Sequence, residues 1–371
     1  MNAPRILKFA TLSFFLLAPL TTNAAPTPEY QPDEYSRGTV VKVIRESAPD
    51  ETGIISQFVE VSIKNLPEAK KIQEVVNTVD KKTSRGPVSV GDDVVVIKVP
   101  DATNGDQYYI SDNYRLNGII FFAVLFFIIV LILGRWRGLT SIVGLVGGVV
   151  VLAGFIIPLI VRGHNPLLVV TTGSVAIICV SMFFAHGLNR STVISVISTG
   201  ITLALASVLA YAAVHLTFLF GTGSEEAMFV SFGSTESLDL RGILLAGIII
   251  GTLGVLDDIT TAQTAAVREL HDTKPDMAFS EMFMRVMRIG REHIASLVNT
   301  LVLAYAGASF PLFLLFYTTN AQPLWAIINS QQIAEEIVRI LVGSTALVLA
   351  VPISSAIAAY YYTKMPHLDK K

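Results

Sequence analysis

The stretch GILLAGIIIGTLGVLDDITTAQTAAVREL, residues 242–270, decides the fold because it joins a long apolar run to two adjacent aspartates. The run from Gly242 to Leu256 has no charged residue and forms about 22 Å of helix at about 1.5 Å per residue. The hydrocarbon core of a bilayer is about 30 Å thick. A helix that crosses here must therefore continue through Asp257 and Asp258, which predicts a membrane-spanning helix with two acids near one end.

Two interpretations of these acids stay open. Asp258 would cap a separate helix outside the membrane if the span ended early and the bilayer thinned locally. Alternatively, both acids would face the interior of a helix bundle, because a carboxylate at membrane depth costs about 2.5–3.5 kcal/mol. A polar stripe on one helix face favours the second interpretation: Asp257, Thr261, Thr264 and Arg268.

The second interpretation predicts a cation-binding or proton-binding site. Asp257 and Asp258 would supply the carboxylates, and Thr261 and Gln263 would add neutral oxygens. Arg268 lies about 16 Å further along the same face, so it would support the stripe from a distance and need a partner of its own.

The composition is that of an integral membrane protein. Apolar residues make up 52% of the 371 residues, charged residues only 15%, and the mean hydropathy is +0.60. The formal net charge of −2 gives no reason to expect a nucleic-acid partner.

Long apolar runs fill residues 116–371. Each run approaches the length needed to cross the hydrocarbon core, and a backbone in lipid must bond to itself, so the runs are expected to be helices. The runs cover roughly residues 117–134, 138–161, 167–186, 192–220, 242–263, 294–319 and 337–362. The sequence therefore predicts a mainly α fold with a seven-span transmembrane helical bundle.

The first 115 residues have a different character. Residues 1–25 are typical of a signal peptide, cleaved or retained as an anchor, with Arg5 and Lys8 before an apolar core. Residues 26–115 contain Val-rich and Ile-rich runs separated by turn residues. They predict a small exported β-rich domain, a barrel or a sandwich, with an OB-like barrel as one candidate. Residues Glu68 to Asp80 are expected to add a short helix.

The charges of the connections predict an orientation. The connections and tail on one side would hold Arg135, Arg137, Arg190, Arg268, Lys274, Arg285, Arg288, Arg291, Lys364, Lys370 and Lys371. The other side would hold only Arg162, Arg241 and Arg339. The positive-inside rule then puts the β-rich domain outside and the C-terminus in the cytoplasm. Glu335 and Glu336 are assigned to an outside connection, which leaves the Asp pair as the acids expected within the membrane.

Small and polar residues inside the runs have structural interpretations. Gly144 and Gly148, and likewise Gly247 and Gly251, have the spacing of close helix packing. Asn299 is a further supporting polar residue, which would either bond to a neighbouring helix or line a path.

Motifs of catalysis and metal binding are not found in the sequence. It has no phosphate-binding loop, no zinc-protease motif and no nucleophile elbow, which predicts a protein that is not an enzyme. His271, Asp272, Glu292 and His293 lack the spacing of a known metal site, so a solvated loop is expected there. No metal and no cofactor are predicted.

The segment TLGVLDDITTAQTAAVREL, residues 252–270, resembles the signature of the YibE/F family of bacterial membrane proteins. A signal-like N-terminus, a β-rich domain that closes in YYISDNYR, residues 108–115, and a polytopic C-terminal part add to the resemblance. The resemblance implies a permease-like protein of the bacterial cytoplasmic membrane.

The sequence thus yields one hypothesis and one alternative. The hypothesis is a permease-like protein that moves or senses a small solute or ion through the Asp pair. The alternative is a non-transporting scaffold whose exported β domain recruits a partner. The expected partners are the lipid bilayer and either a second copy of the chain or a paralogous membrane protein.

Overall fold

The computed structural model describes residues 34–50, 53–64, 66–67, 71–80, 86–99, 106–233, 238–319 and 322–364. The predicted signal peptide, residues 1–25, lies outside the described residues. The chain divides into two compact units, Met1–Ala123 and Val124–Lys371.

Five strands in the first unit form a closed barrel in the order β1-β2-β3-β5-β4. The strands are β1 (Glu34–Glu46), β2 (Ile54–Ile63), β3 (Ile72–Asp80), β4 (Asp93–Val99) and β5 (Gln107–Asn113). The β3–β5 pair is parallel and the other pairs are antiparallel. The predicted β domain is therefore a barrel and not a sandwich, and its strand order is OB-like.

The barrel interior is filled by β-branched side chains that alternate along the strands. Its core consists of Val40, Val59, Val61, Ile63, Val75, Val88, Val94, Val96 and Ile110. Gln57 and Asn77 are also buried, and their amides bond to each other at 3.1 Å. Gln57 additionally accepts from Val88 N and donates to Val88 O, which satisfies the buried amide and fixes the segment before β4.

The helix expected over Glu68 to Asp80 is wrong, because Ile72–Asp80 forms strand β3. Val75, Asn77 and Val79 are buried and the residues between them are less so, which is the period of two of a strand. Every residue of β3 pairs with β2, and this pairing favours a strand more than the charged residues before β3 favour a helix.

The described chain after the barrel is mainly helical. Its elements are α1 (Leu116–Val151), a π-helical turn (Leu152–Ile156), α2 (Ile157–Val161), α3 (Pro166–His186), α4 (Arg190–Leu216), α5 (Glu225–Gly233), α6 (Leu240–Thr273), α7 (Phe279–Ala308), α8 (Phe310–Thr319), α9 (Leu324–Asn329) and α10 (Gln331–Lys364).

Five helices in the described chain are long and apolar enough to cross a membrane, or six if α7 and α8 form one span bent by 63°. The seven predicted spans are therefore not confirmed. One span of the difference is the broken pair α7 and α8, and the other arises in Leu116–Val161, which counts as one candidate of 46 residues although the sequence predicts two spans there. Arg135 inside it has a left-handed φ of 50°, and a Cβ on Gly138 would lie 3.1 Å from Val130 Cγ1. Residues eight apart in a straight helix are about 12 Å apart, so the chain bends sharply at Arg135.

Helix α6 is the centre of the helical unit. It packs against α10, α4, α3 and α7, and α10 in turn packs against α4 and α7. The largest apolar cluster joins these helices and includes Ile178, Leu203, Ile249, Leu253, Leu256 and Leu347. This packing fixes the side chains of α6 that follow the apolar run.

Candidate functional site

Helix α6 continues without a break from Leu240 to Thr273, through both aspartates. Its 34 residues span about 51 Å, which exceeds the hydrocarbon thickness. Asp258 therefore does not cap a separate helix, as the second interpretation predicts, but only Asp257 faces the bundle interior, so the prediction that both acids face it is wrong for Asp258. The two acids differ in surroundings, because Asp257 is largely enclosed and Asp258 is exposed.

The carboxylate of Asp257 points towards α3. Ser181 Oγ donates a hydrogen bond of 2.8 Å to Asp257 Oδ2. The second oxygen, Asp257 Oδ1, is buried and has no hydrogen-bond partner among the described residues. A buried carboxylate oxygen without a donor is costly, so this atom is a place where a proton or a cation would be stabilised.

The exposed Asp258 has charged neighbours. It lies within electrostatic reach of His186 at the end of α3, and His186 is in turn within reach of Arg137 on α1. The two carboxylates of the predicted pair therefore have different surroundings, and only Asp257 belongs to the enclosed part of the bundle.

The next turn of α6 joins it to α4. Thr260 Oγ1 and Thr199 Oγ1 are 2.7 Å apart, and both residues are fully buried. Ser195 Oγ donates to the backbone oxygen of Thr260 over 3.4 Å. The predicted ligand Thr261 has a buried hydroxyl without a hydrogen-bond partner in the described part of the chain. Thr261 and Asp257, four residues apart, therefore offer unpartnered oxygens from one face of α6.

Gln263 connects three helices from a fully buried position. Its Oε1 accepts a hydrogen bond of 3.1 Å from Ser355 Oγ on α10, and its Nε2 is 3.3 Å from His293 Nδ1 on α7. Gly290 permits the approach of α7, since a Cβ there would lie 3.2 Å from Gln263 Oε1. Gln263 therefore contributes a polar crosslink and not a free oxygen.

His293 was expected to be solvated, but the structure leaves it only partly exposed. Helix α7 begins at Phe279 and includes His293, which it turns towards Gln263. The sequence signal was present, because Val286, Gly290 and His293 lie on one helical face, and Val286 and Gly290 are both buried.

Thr264 and Arg268, at the C-terminal end of the predicted polar stripe, make no direct contact with the Asp257 carboxylate. Thr264 is buried but donates to the backbone oxygen of Thr260, so its hydroxyl is satisfied within its own helix. Arg268 is exposed and lies 3.7 Å from Asp272, which provides the separate partner that its position required. Neither residue reaches the carboxylate of Asp257 as a direct partner.

Asn299 does not lie inside the bundle. It is exposed on α7, as are Ser296 and Thr300, and Thr300 bonds only to its own helix. Asn299 was expected to support the Asp pair as a polar neighbour, and within this chain that expectation is wrong. The stripe of α7 that faces the bundle carries His293 instead.

The four glycines of the predicted packing pairs have different neighbours. A Cβ on Gly144 would lie 2.9 Å from Ser181 O, so Gly144 permits close packing of α1 on α3, whereas one on Gly148 would lie 3.5 Å from Ile177 Cγ2 in ordinary contact. A Cβ on Gly247 would instead lie 3.5 Å from Arg339 Nη1.

Gly251 likewise makes room for a polar side chain, because a Cβ there would overlap the Tyr305 hydroxyl. The second pair of glycines thus opens a face of α6 to polar groups of α10 and α7.

A second polar group lies near the other end of α6, and the sequence analysis missed it. Helix α10 already begins at Gln331, so Glu335 and Glu336 belong to a candidate span and not to a connection. Glu335 is 5% exposed and accepts from Gly223 N and Gln331 Nε2 at 3.1 Å each. Arg339 Nη2 lies 3.5 Å from Glu336 Oε1. The Asp pair is therefore not the only acidic group within the candidate spans.

Several other buried hydroxyls are satisfied within their own helices. The side chains of Ser198, Thr202, Thr252 and Ser354 each donate to the carbonyl four residues earlier. Such bonds satisfy the hydroxyl locally. Within the described ranges, no three His, Cys, Asp or Glu side chains come together as a metal site.

Comparison with known proteins finds a family match for the helical unit. No curated protein and no solved structure matches the chain. A family model described as YibE/F-like protein matches residues 122–364, which is more than half of the chain and includes every residue of the Asp257 site. The resemblance to the YibE/F family is thereby confirmed, and the chain belongs to that family.

Proposed function

We propose that this protein moves or senses a small cation or a proton across the bacterial cytoplasmic membrane, with Asp257 as the binding group. The observation that carries the proposal is the setting of the Asp257 carboxylate, with one oxygen bonded to Ser181 and the other buried without a partner. A carboxylate inside a candidate span is expensive and is a functional site by default.

The chemistry of such a site follows from its oxygens. An ionised Asp257 with one hydrogen bond is poorly compensated, so a proton or a small cation at Oδ1 lowers the cost of burial. Thr261 Oγ1 is the neutral oxygen available for the same ion, since it too has no partner within the described residues. Asp258 and His186, which lie outside the enclosed part, would exchange the ion with the aqueous phase.

A route along α6 is supported by polar groups on both sides of Asp257. Arg339 and Tyr305 lie beside Gly247 and Gly251, about 9–15 Å before Asp257 along the helix. In this proposal the ion arrives from the far side of the membrane past the Tyr305 hydroxyl, and Arg339, a permanent cation, does not bind it.

The proposal includes a topology of seven spans. The bend at Arg135 divides Leu116–Val161 into two spans, and α7 with α8 forms one bent span. The barrel is exported behind the predicted signal peptide, and the C-terminus is cytoplasmic, as the distribution of Lys and Arg favours.

In the proposed role the chain is not an enzyme, and it acts alone or with a second copy or a paralogous membrane protein. The alternative function is a scaffold whose barrel recruits a partner while the helices only anchor it. The enclosed oxygen of Asp257 favours transport or sensing, because an anchor gains nothing from a buried, incompletely bonded carboxylate.

The test is flux in proteoliposomes for Asp257→Asn and for the matched control Glu269→Gln. Both variants remove one negative charge from α6, but Glu269 is exposed. Proton movement is followed with an enclosed pH dye, and cation movement with a panel of monovalent and divalent ions. The expected result is a loss of at least tenfold for Asp257→Asn with unchanged folding, and normal flux for Glu269→Gln.

Equal flux in the wild type and the Asp257→Asn variant, for every ion tested, would reject the binding role of Asp257. If the wild type itself moves no ion while loss of the barrel abolishes binding of a partner, the scaffold is the better description.

A further inference from the structure

A groove lies where α4 begins and α10 ends, and Asp257 is not among the residues that line it. Its volume is about 500 Å³, and it is open on one side. Val193, Ile197, Ile357 and the ring of Tyr360 form its walls, so these walls are apolar. Both helix ends are also ends of candidate membrane spans. The groove therefore lies where a bilayer changes from hydrocarbon to headgroups.

The mouth of the groove carries cations. Arg190, the first residue of α4, lines it. Lys364, the last residue of α10, donates from Nζ to Tyr360 Oη over 2.7 Å and lies over the same ring. The N-terminal end of α4 adds the partial positive charge of a helix N-terminus, with Asn189 as its cap.

We infer that this groove binds one anionic phospholipid, with an acyl chain along the apolar walls and the phosphate at Arg190 and Lys364. Water is a poor occupant of the walls, because they offer few polar partners. Any lipid chain fits such walls equally well, since hydrocarbon is as apolar as Val and Ile. The headgroup therefore decides the choice, and basic side chains at a span end select an anionic one.

The inference does not depend on the function of Asp257. The groove is lined by α4, α10 and the turn before α4, and its lining includes no residue of α6. A variant of Asp257 should accordingly leave lipid binding unchanged.

The test compares phosphatidylglycerol with phosphatidylcholine of the same acyl chains, by native mass spectrometry of the purified full chain. The wild type should prefer phosphatidylglycerol. In the Arg190→Gln/Lys364→Gln variant, the ratio of bound phosphatidylglycerol to bound phosphatidylcholine should fall roughly fivefold for each removed cation. The Arg190→Lys/Lys364→Arg variant keeps both charges and should keep that ratio.

Two controls make the result specific. Arg288→Gln/Arg291→Gln removes two exposed cations from α7 and should keep the preference. Ile197→Phe fills the groove and should weaken binding of both lipids.

An unchanged preference in Arg190→Gln/Lys364→Gln would overturn the inference. So would equal losses in the α7 control, or full displacement of the bound lipid by soluble glycerol phosphate, which would indicate a free phosphate ligand.

Discussion

At the scale of single residues, neighbouring side chains of α6 have opposite surroundings. Asp257 bonds to Ser181 inside the bundle, and Asp258, one residue later, is exposed. Consecutive residues of a helix point about 100° apart, so α3 encloses one carboxylate and leaves the other at the surface. A doublet of acids in a sequence therefore does not establish a paired site.

The amide of Gln263 should stabilise the helical unit. In Gln263→Leu, the hydroxyl of Ser355 and Nδ1 of His293 lose their partner in a buried setting, which is expected to cost about 1–3 kcal/mol. Chemical unfolding of the purified protein in detergent measures this loss. The control Ser354→Ala removes a hydroxyl that bonds only to its own helix, so its loss should be smaller. Equal stability of Gln263→Leu and the wild type would contradict the crosslink.

The barrel should have an acid-sensitive ion pair. Arg37 Nη2 lies 2.7 Å from Asp93 Oδ2, and Thr39 Oγ1 donates to Oδ1 of the same carboxylate. The hydrogen bond from Arg37, followed by the bond from Thr39, lowers the pKa of Asp93 below its ordinary value.

Because the folded pKa is depressed, the stabilisation is present above the unfolded pKa of about 3.9 and is lost as the pH falls through the folded value. Hydrogen exchange of β1 and β4 in the full chain, corrected for the intrinsic rate, should show weaker protection in acid for the wild type. Asp93→Asn should show the weaker protection at every pH. An identical pH dependence of the two proteins would exclude this ion pair as the cause.

At the scale of elements, close approach of α1 to α3 positions the partner of Asp257. Gly144 lies against the backbone of Ser181, so these helices meet at the residue that donates to Asp257. Packing at this glycine therefore acts on the site through Ser181.

Gly144→Ala should destabilise the protein by about 1–3 kcal/mol, because the new Cβ would lie 2.9 Å from Ser181 O and the helices must separate. Gly254→Ala is the matched control, since a Cβ on Gly254 meets nothing within 4 Å. It should be neutral or stabilising, as Ala favours a helix over Gly. Thermal unfolding of both variants checks the pair, and equal effects would contradict the close approach.

The sequence predicted individual helices well where hydrophobic length was the signal. The apolar run before Asp257 required a helix through both acids, and α6 has that course. Prediction from the sequence failed where contacts with other segments decide the structure. Strand β3 forms because it pairs with β2. Glu335 is buried because Gly223 and Gln331 satisfy its carboxylate. Ser181 was missed for the same reason, because only the packing of helices brings it to α6.

At the scale of the whole molecule, a five-stranded barrel and a helical unit are joined in one chain of the YibE/F family. The composition predicted this division, since charged residues concentrate before residue 116 and apolar runs after it. The family match covers the helical unit, which is also where the enclosed carboxylate lies. The proposed ion chemistry therefore belongs to the helical unit.

The central claim is that Asp257 itself takes up the ion. Infrared difference spectroscopy of the reconstituted protein after a pH jump or addition of a cation measures this directly through the carboxyl stretch. The account predicts a carboxyl band that is present in the wild type and in Glu269→Gln but missing in Asp257→Asn. A band that persists unchanged in Asp257→Asn would contradict it.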